Sequence, residues 1–268
     1  MQPKKSLGQN FLTSEAAVHK IVTAAKISAG ETVLEVGPGR GVLTSALLGS
    51  GAKVVAVEKD HALISELEVK FSEATSEGKL KIVEGDALEI LPNEIGLPSR
   101  THGGYKIVAN LPYYITGQFL KKFLSETAAE NQPMSMVLLL QKEVVERIIA
   151  SDKKGSILSI SIKAYGEPHK ITVVKSGSFF PAPSVDSAVI AIENISKNFF
   201  TNVSEEKFFE VVKAGFAHKR KMLVPNLAQI FEKEKVLKVF SDLNISEKIR
   251  AEDIVLGDWK KIAEEIQK

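Results

Sequence analysis

Residues 33–44 read VLEVGPGRGVLT. An apolar, β-branched run breaks into three glycines at every second position, and a helix-like stretch, VLTSALLGS (42–50), follows. Gly37, Gly39 and Gly41 give the chain dihedrals closed to other residues and let main chain approach a ligand closely. Outward from this turn the same rhythm repeats. KVVAVE (53–58) is a second strand, followed by helical HALISELEVKF, and KLKIVEGDA (79–87) is a third. YKIVAN (105–110) is a fourth, followed by helical GQFLKKFLSET, and MSMVLLLQ (134–141) is a fifth, followed by KEVVERIIA. Upstream, SEAAVHKIVTAAKI (14–27) has helical spacing, with Ser14 placed as its N-cap. The strands are near-continuous apolar runs, as in a parallel sheet covered on both faces. The pattern predicts a doubly wound α/β fold with a mostly parallel sheet.

After residue 155 the alternation changes. ILSISIKAYG fits helix or strand equally; ITVVKSG and VDSAVIAIE read as strands that form a hairpin at the sheet edge, split by FFPAP. From about residue 204 the chain is helical. A boundary after residue 195 divides a larger α/β domain (1–195) from a small all-helical C-terminal domain (196–268).

Composition narrows the classes. The chain has 268 residues, 44% hydrophobic and 25% charged, enough for a sizeable core, and its formal net charge of +2 leaves any basic face to local clustering. It has no cysteine, which removes disulfides and thiolate metal sites. The opening MQPKKSLGQNFLTS has no apolar run like a secretory signal, and no stretch approaches 18 apolar residues. The expectation is a soluble cytoplasmic protein without a membrane span. The five histidines lack metal-like spacing and read as structural or surface residues, so no metal is expected.

Around the glycine turn, Glu58 ends the second strand, where a carboxylate can accept ribose hydroxyls. Asp86 follows the third strand, in reach of an adenine amino group. The spacing is GxGxG with Glu35 two positions before the first glycine, whereas dinucleotide loops are GxGxxG. A pyrophosphate favours close helix N-terminal amides, and S-adenosylmethionine carries none. The loop therefore looks more like an S-adenosylmethionine site.

NLPYY (110–114) ends the fourth strand. The exocyclic nitrogen of adenine is a poor nucleophile because its lone pair is delocalised. The Asn110 side-chain oxygen and the Leu111 carbonyl can each accept one of its N–H groups and aim the lone pair at a methyl group. Pro112 stiffens the turn, and Tyr113 offers a ring on which a base stacks. Tyr114 and Ile115 read as core residues.

These stretches, with GQNFL (8–12), VEKD (57–60), GDAL (85–88), LQKEVVERI (140–148), FFPAPSVDSAV (179–189) and GFAHKRKML (215–223), resemble the KsgA family of ribosomal RNA adenine dimethyltransferases. They follow family order from residue 8 to about residue 227. The resemblance implies a Rossmann-like class I methyltransferase that uses S-adenosylmethionine. It dimethylates N6 of two adjacent adenosines in the 3′-terminal hairpin loop of small-subunit (16S) rRNA, within a pre-30S particle, and acts as a monomer. It assigns Asn10 and Leu12 to the methionine end of the cofactor, Gly37 and Gly39 to the loop, Glu58 to the ribose and Asp86 to the adenine. Asn110, also a cofactor contact, Leu111 and Tyr113 form the methyl-transfer site, and Phe179, or its neighbour Phe180, is a second stacking ring.

The basic clusters are Lys4–Lys5, Lys121–Lys122, Lys153–Lys154 and Lys219–Arg220–Lys221. The last, at the end of an amphipathic helix, is the best candidate for RNA phosphates. The alternatives are a large-subunit rRNA methyltransferase of the macrolide-resistance type, a DNA adenine methyltransferase, a non-enzymatic assembly factor for the small subunit and an NAD oxidoreductase.

Overall fold

The structure, a computed structural model, describes residues 3–4, 7–151 and 154–266. Lys5 and Lys153 lie outside the described residues. The chain forms two compact units, one of residues 1–145 and 166–196 and one of residues 146–165 and 197–268. The sequence draws one boundary, after residue 195; these units change three times along the chain.

The first unit opens with a two-residue strand, β1 (Phe11–Leu12), and helix α1 (Glu15–Ala25). The Ser14 side chain caps α1 by accepting from the Ala17 amide. Then come β2 (Thr32–Val36), α2 (Val42–Gly49), β3 (Lys53–Glu58), α3 (His61–Lys70), α4 (Ser72–Ser76) and β4 (Leu80–Glu84). Loop and a 3-10 turn, not an α-helix, lead from β4 to β5 (Tyr105–Asn110). After β5 come α5 (Thr116–Lys121) and β6 (Ser135–Gln141), then α6 (Lys142–Ile148). The ambiguous stretch after residue 155 is a helix, α7 (Ile157–Lys163), with a Ser156–Ser159 capping box. The sheet resumes with β7 (Glu167–Val174), the short β8 (Phe179–Phe180) and β9 (Ser187–Glu193).

The seven-stranded sheet runs β4-β3-β2-β5-β6-β9-β7. The first five strands are parallel, and β9 is antiparallel to both β6 and β7. This is the expected mostly parallel, doubly wound architecture. β1 and β8 pair separately, Phe11 opposite Phe180 and Leu12 opposite Phe179. Strand order reverses between β2 and β5, where Val36 pairs with Ala109. The crevice beyond the carboxyl ends of strands at such a reversal is where open α/β sheets bind ligands. Gly37, Glu58, Asp86 and Asn110 all stand at that edge.

The second unit takes α7 together with α8 (Glu205–Gly215), α9 (Leu223–Leu227), α10 (Lys233–Asp242) and α11 (Leu256–Ile266). Its core gathers Ile160 and Ala164 from the α7 stretch with Phe208, Val212, Leu227, Phe240, Trp259 and Ile262. α7 presents an apolar face that this cluster buries, which is why residues 146–165 join it. No helix among the described residues is long and apolar enough to cross a membrane.

Candidate active site

At the carboxyl edge of the sheet lies a cavity of about 310 Å³, a size suited to a small ligand. Its wall includes Asn10, Gly37, Gly39, Glu58, Asp86, Asn110, Leu111, Tyr113 and Phe179. One expected residue, Leu12, lies off it. Neighbouring side chains of a strand point to opposite faces; with Phe11 on the wall, Leu12 turns into the core. Phe179 is buried and reaches the cavity, while Phe180 is 56% exposed and does not line it.

The glycine turn is tight. Gly37 N–H donates to the Val57 carbonyl at 3.0 Å. Gly39 has φ +56°, and a Cβ there would meet the Phe11 ring at 2.9 Å, so only glycine lets the two approach. The Arg40 guanidinium sits 5.0 Å from the centre of the same ring.

Glu58 is held by main-chain amides. Oε1 accepts from Lys59 N–H (3.0 Å) and Asp60 N–H (2.9 Å), and Oε2 from Gly39 N–H (3.2 Å). Burial raises its carboxyl, and these amides offset part of that rise. Two oxygens offer about four acceptor positions; one on Oε2 remains for a hydroxyl. Asp86 accepts from Lys59 Nζ at 2.7 Å and Leu88 N–H at 2.9 Å. Burial works to raise its carboxyl, but those bonds and the charges of Lys59 and Lys122 outweigh it and hold the group below its ordinary value.

Glu35 is fully buried behind the turn. Neither of its oxygens has a hydrogen-bond partner of full geometry among the described residues. Burial, offset in part by Thr44 and reinforced by the Glu58 charge, pushes its carboxyl up to about 8. It is therefore predominantly protonated at neutral pH.

An N-terminal strap closes one side. Leu7 to Phe11 line the cavity. The buried carboxylate of Asp60, which caps α3, accepts from Lys4 Nζ (2.7 Å) and Gln9 Nε2 (2.8 Å). Burial works to raise Asp60, and the bonds from Lys4, Gln9 and Ala62 N–H outweigh it and lower its pKa. Asn10 Nδ2 donates to the Gly8 carbonyl, and the Asn10 carbonyl accepts from Asn110 Nδ2 at 3.0 Å.

The turn after β5 runs from Asn110 through a 3-10 turn. Asn110 is half-buried, Leu111 is buried, Pro112 has φ −56°, and Tyr113 opens a 3-10 turn, Tyr113–Ile115. The Tyr113 hydroxyl bonds Ser187 Oγ at 2.7 Å, which fixes its ring. Ile115 is buried. Tyr114 corrects the sequence reading: it is 61% exposed and lines the cavity instead of entering the core. A 3-10 turn advances about a third of a revolution per residue, so neighbouring side chains cannot share one environment.

Sequence reasoning missed three residues: Gln9, Asp60 and Ser187. Each sat inside a quoted motif (GQNFL, VEKD, VDSAV) without a partner. No local signal marked them, since Gln9 adjoins Asn10, Asp60 lies between Lys59 and His61, and Ser187 follows Asp186; the mates lay 51, 56 or 74 positions away.

The basic clusters differ. Lys4 is committed to Asp60, and Lys122 Nζ donates to the Leu88 carbonyl, burial holding its pKa down. Lys219, Arg220 and Lys221 are exposed in the loop after α8, which ends at Gly215. The buried Asn226 pins that loop, donating from Nδ2 to the carbonyls of Gly215 (2.6 Å) and His218 (3.2 Å). Among the described residues no group of three or more His, Cys, Asp or Glu is arranged to hold a metal.

The family described as ribosomal RNA adenine dimethylase matches residues 1–268. A ribosomal RNA small subunit methyltransferase A from Dehalococcoides mccartyi is 39% identical over 98% of this chain and 88% of its own length. The crystal structure of a dimethyladenosine transferase from Plasmodium falciparum superposes with TM-score 0.79 at 27% identity, covering 94% of this chain and 95% of its own. The 23S rRNA methyltransferase ErmE has TM-score 0.77 at 20% identity, covering 97% of this chain and all of its own, a likeness of fold. Strand order, crevice and matched length agree: this chain belongs to the ribosomal RNA adenine dimethylase family, whose members are rRNA methyltransferases.

Proposed function

We propose that this protein transfers methyl groups from S-adenosylmethionine to N6 of two adjacent adenosines in the 3′-terminal hairpin loop of small-subunit (16S) rRNA. The product is N6,N6-dimethyladenosine. The observation that carries the chemistry is the bond from Asn110 Nδ2 to the Asn10 carbonyl. It occupies the donor end of the amide and leaves Oδ1 as an acceptor on the cavity wall.

The residues present fit the cofactor. Glu58, with three main-chain amides on its carboxylate, keeps an acceptor position that would take a ribose hydroxyl. Asp86, held by Lys59 and Leu88, would accept from the adenine amino group. Gly37 and Gly39 allow close main chain, and Asn10, on the cavity wall with Leu12 in the core beside it, would meet the methionine end. When bound, the cofactor supplies an electrophilic methyl group on a sulfonium.

The protein's part is orientation. Asn110 Oδ1 and the Leu111 carbonyl accept the two N–H groups of the target adenine and turn its lone pair toward the methyl group. Tyr113, fixed through Ser187, and Phe179 take the base between their rings. The target must leave its stack to arrive there. The methylated nitrogen is strongly acidic and gives its proton to water, so no base is required. Positioning and fixed dipoles carry the rate.

The α/β domain (1–195) holds this chemistry, and the helical segment (196–268) grips RNA phosphates through Lys219, Arg220 and Lys221. We place the reaction in the cytoplasm, on a pre-30S particle, with the protein as a monomer. The relatives named for the small subunit support that substrate.

The test is transfer of labelled methyl from S-adenosylmethionine to small subunits lacking the modification. Wild type and Asn110→Ala are compared, and product nucleosides are identified by mass. Dimethyladenosine from wild type alone is the expected result. Transfer to large-subunit rRNA instead, or binding to the particle without transfer, overturns the proposal.

A further inference from the structure

Tyr114 is unusual for so large an aromatic: 61% of it is exposed, at the mouth of a cavity whose inner wall carries Tyr113 and Phe179. Its ring is not loose. Gly8, at φ +61°, lies against it so closely that an added Cβ would stand 3.2 Å from Cε1 and 3.3 Å from Cδ1. The strap therefore covers part of the ring and leaves the rest to solvent. Lys59, bonded to Asp86 at 2.7 Å, lines the same cavity. A held, amphipathic ring on the wall of a small-ligand cavity, half open to solvent, is the kind of π-face on which single-stranded nucleic acid sites stack a base.

We propose that Tyr114 is a second stacking platform, holding the nucleobase next to the one being methylated while that one sits against Tyr113. This rests on the reading of the cavity as an RNA adenine methyl-transfer site. Consecutive residues of the 3-10 turn face different ways, so Tyr113 serves the flipped base and Tyr114 serves its neighbour at the exit.

The experiment uses the full-length protein on small subunits lacking the modification, with Tyr114→Ala, Tyr114→Phe and Tyr114→Trp beside wild type. A second set of subunits carries uridine in place of the flanking adenosine. Cofactor affinity is measured separately by calorimetry. The proposal expects Tyr114→Ala to lower kcat/KM for subunits by roughly 10- to 100-fold with cofactor affinity unchanged. Phe and Trp restore most of the rate, because each offers a ring. The uridine substitution slows wild type but adds little to Tyr114→Ala, since the smaller ring weakens the same stack that the alanine removes.

Tyr114→Ala at wild-type rate overturns the proposal. So does failure of Phe and Trp to restore the rate, or loss of cofactor affinity in step with activity, which marks a structural role. Losses from Tyr114→Ala and uridine that simply multiply overturn it as well. If wild type itself transfers nothing, the fault lies with the underlying reading of the cavity.

Discussion

The side-chain amide of Asn110 donates to the main-chain oxygen of Asn10, 3.0 Å away and 100 residues earlier in the chain. One bond joins the end of a central strand to the N-terminal strap. It follows that Asn110→Ala, which removes both the tie and the acceptor, lowers kcat by roughly 10²- to 10³-fold. Asn110→Asp keeps an acceptor and loses the donor, and falls between. Single-turnover methyl transfer measures both. A variant at position 110 with wild-type kcat sinks the assignment.

Asp60 latches the strap through Lys4 and Gln9. Gln9→Ala leaves the cap of α3 intact and frees one tie, so it should weaken cofactor binding several-fold with little change in melting temperature. Asp60→Ala also removes the cap and costs about 1 kcal/mol more in stability. Calorimetric titration with the cofactor and thermal unfolding separate the two effects.

Gly41 and Gly103 offer a matched pair. Both have positive φ, but a Cβ at Gly41 would stand 2.4 Å from the Phe71 ring, while nothing lies within 4 Å of one at Gly103. Gly103→Ala should cost about 1 kcal/mol, the strain of a left-handed residue. Gly41→Ala should cost about 2 to 4 kcal/mol, since overpacking adds to it. Chemical denaturation reads the difference.

Glu35 sets a pH dependence. Its folded carboxyl titrates at about 8, against 4.5 for the ordinary group. Between those values the folded state keeps a proton that the unfolded state releases. Its contribution therefore favours the fold below pH 4.5 and is lost as pH rises toward 8, by up to about 1.4 kcal/mol per pH unit. Glu58 is raised as well and adds in the same direction. Glu35→Gln should flatten the decline in stability between pH 5 and 8 and stabilise the protein at pH 8. An unchanged slope in melting temperature against pH counts against a protonated Glu35.

In the helical unit, Asn226→Ala strands the carbonyls of Gly215 and His218 and should cost about 1 to 3 kcal/mol. Lys219→Ala should leave stability unchanged, and under our reading of the loop it lowers the salt dependence of RNA binding by about one unit of slope. Filter binding at several salt concentrations measures it.

The parallel strands were legible because each is a continuous apolar run, and their shared edge followed from the glycine turn, Glu58 and NLPYY. α7 was not legible: ILSIS is too short to show a helical period, and its Ile160 joins a core cluster with Phe208 and Trp259 from far along the chain. The cavity wall was legible where a motif carries its own chemistry, at Glu58 and Asn110. It was not where a residue works through a distant mate, as Gln9 does on the wall and Ser187 does behind Tyr113. Tyr114 was misread because a tyrosine beside a tyrosine carries no signal of which one the turn exposes.

The two-residue ribbon of β1 and β8 joins Leu12 to Phe179. A ribosome making this chain must therefore release the first residue of that pair long before the second exists. Until residue 179 emerges, the strap has no strand to pair with and one wall of the cavity is missing. Under our reading of Phe179 as a wall for the target base, a nascent chain waits for that residue, and fragments ending before the FFPAP segment should be inert however well their first five strands fold.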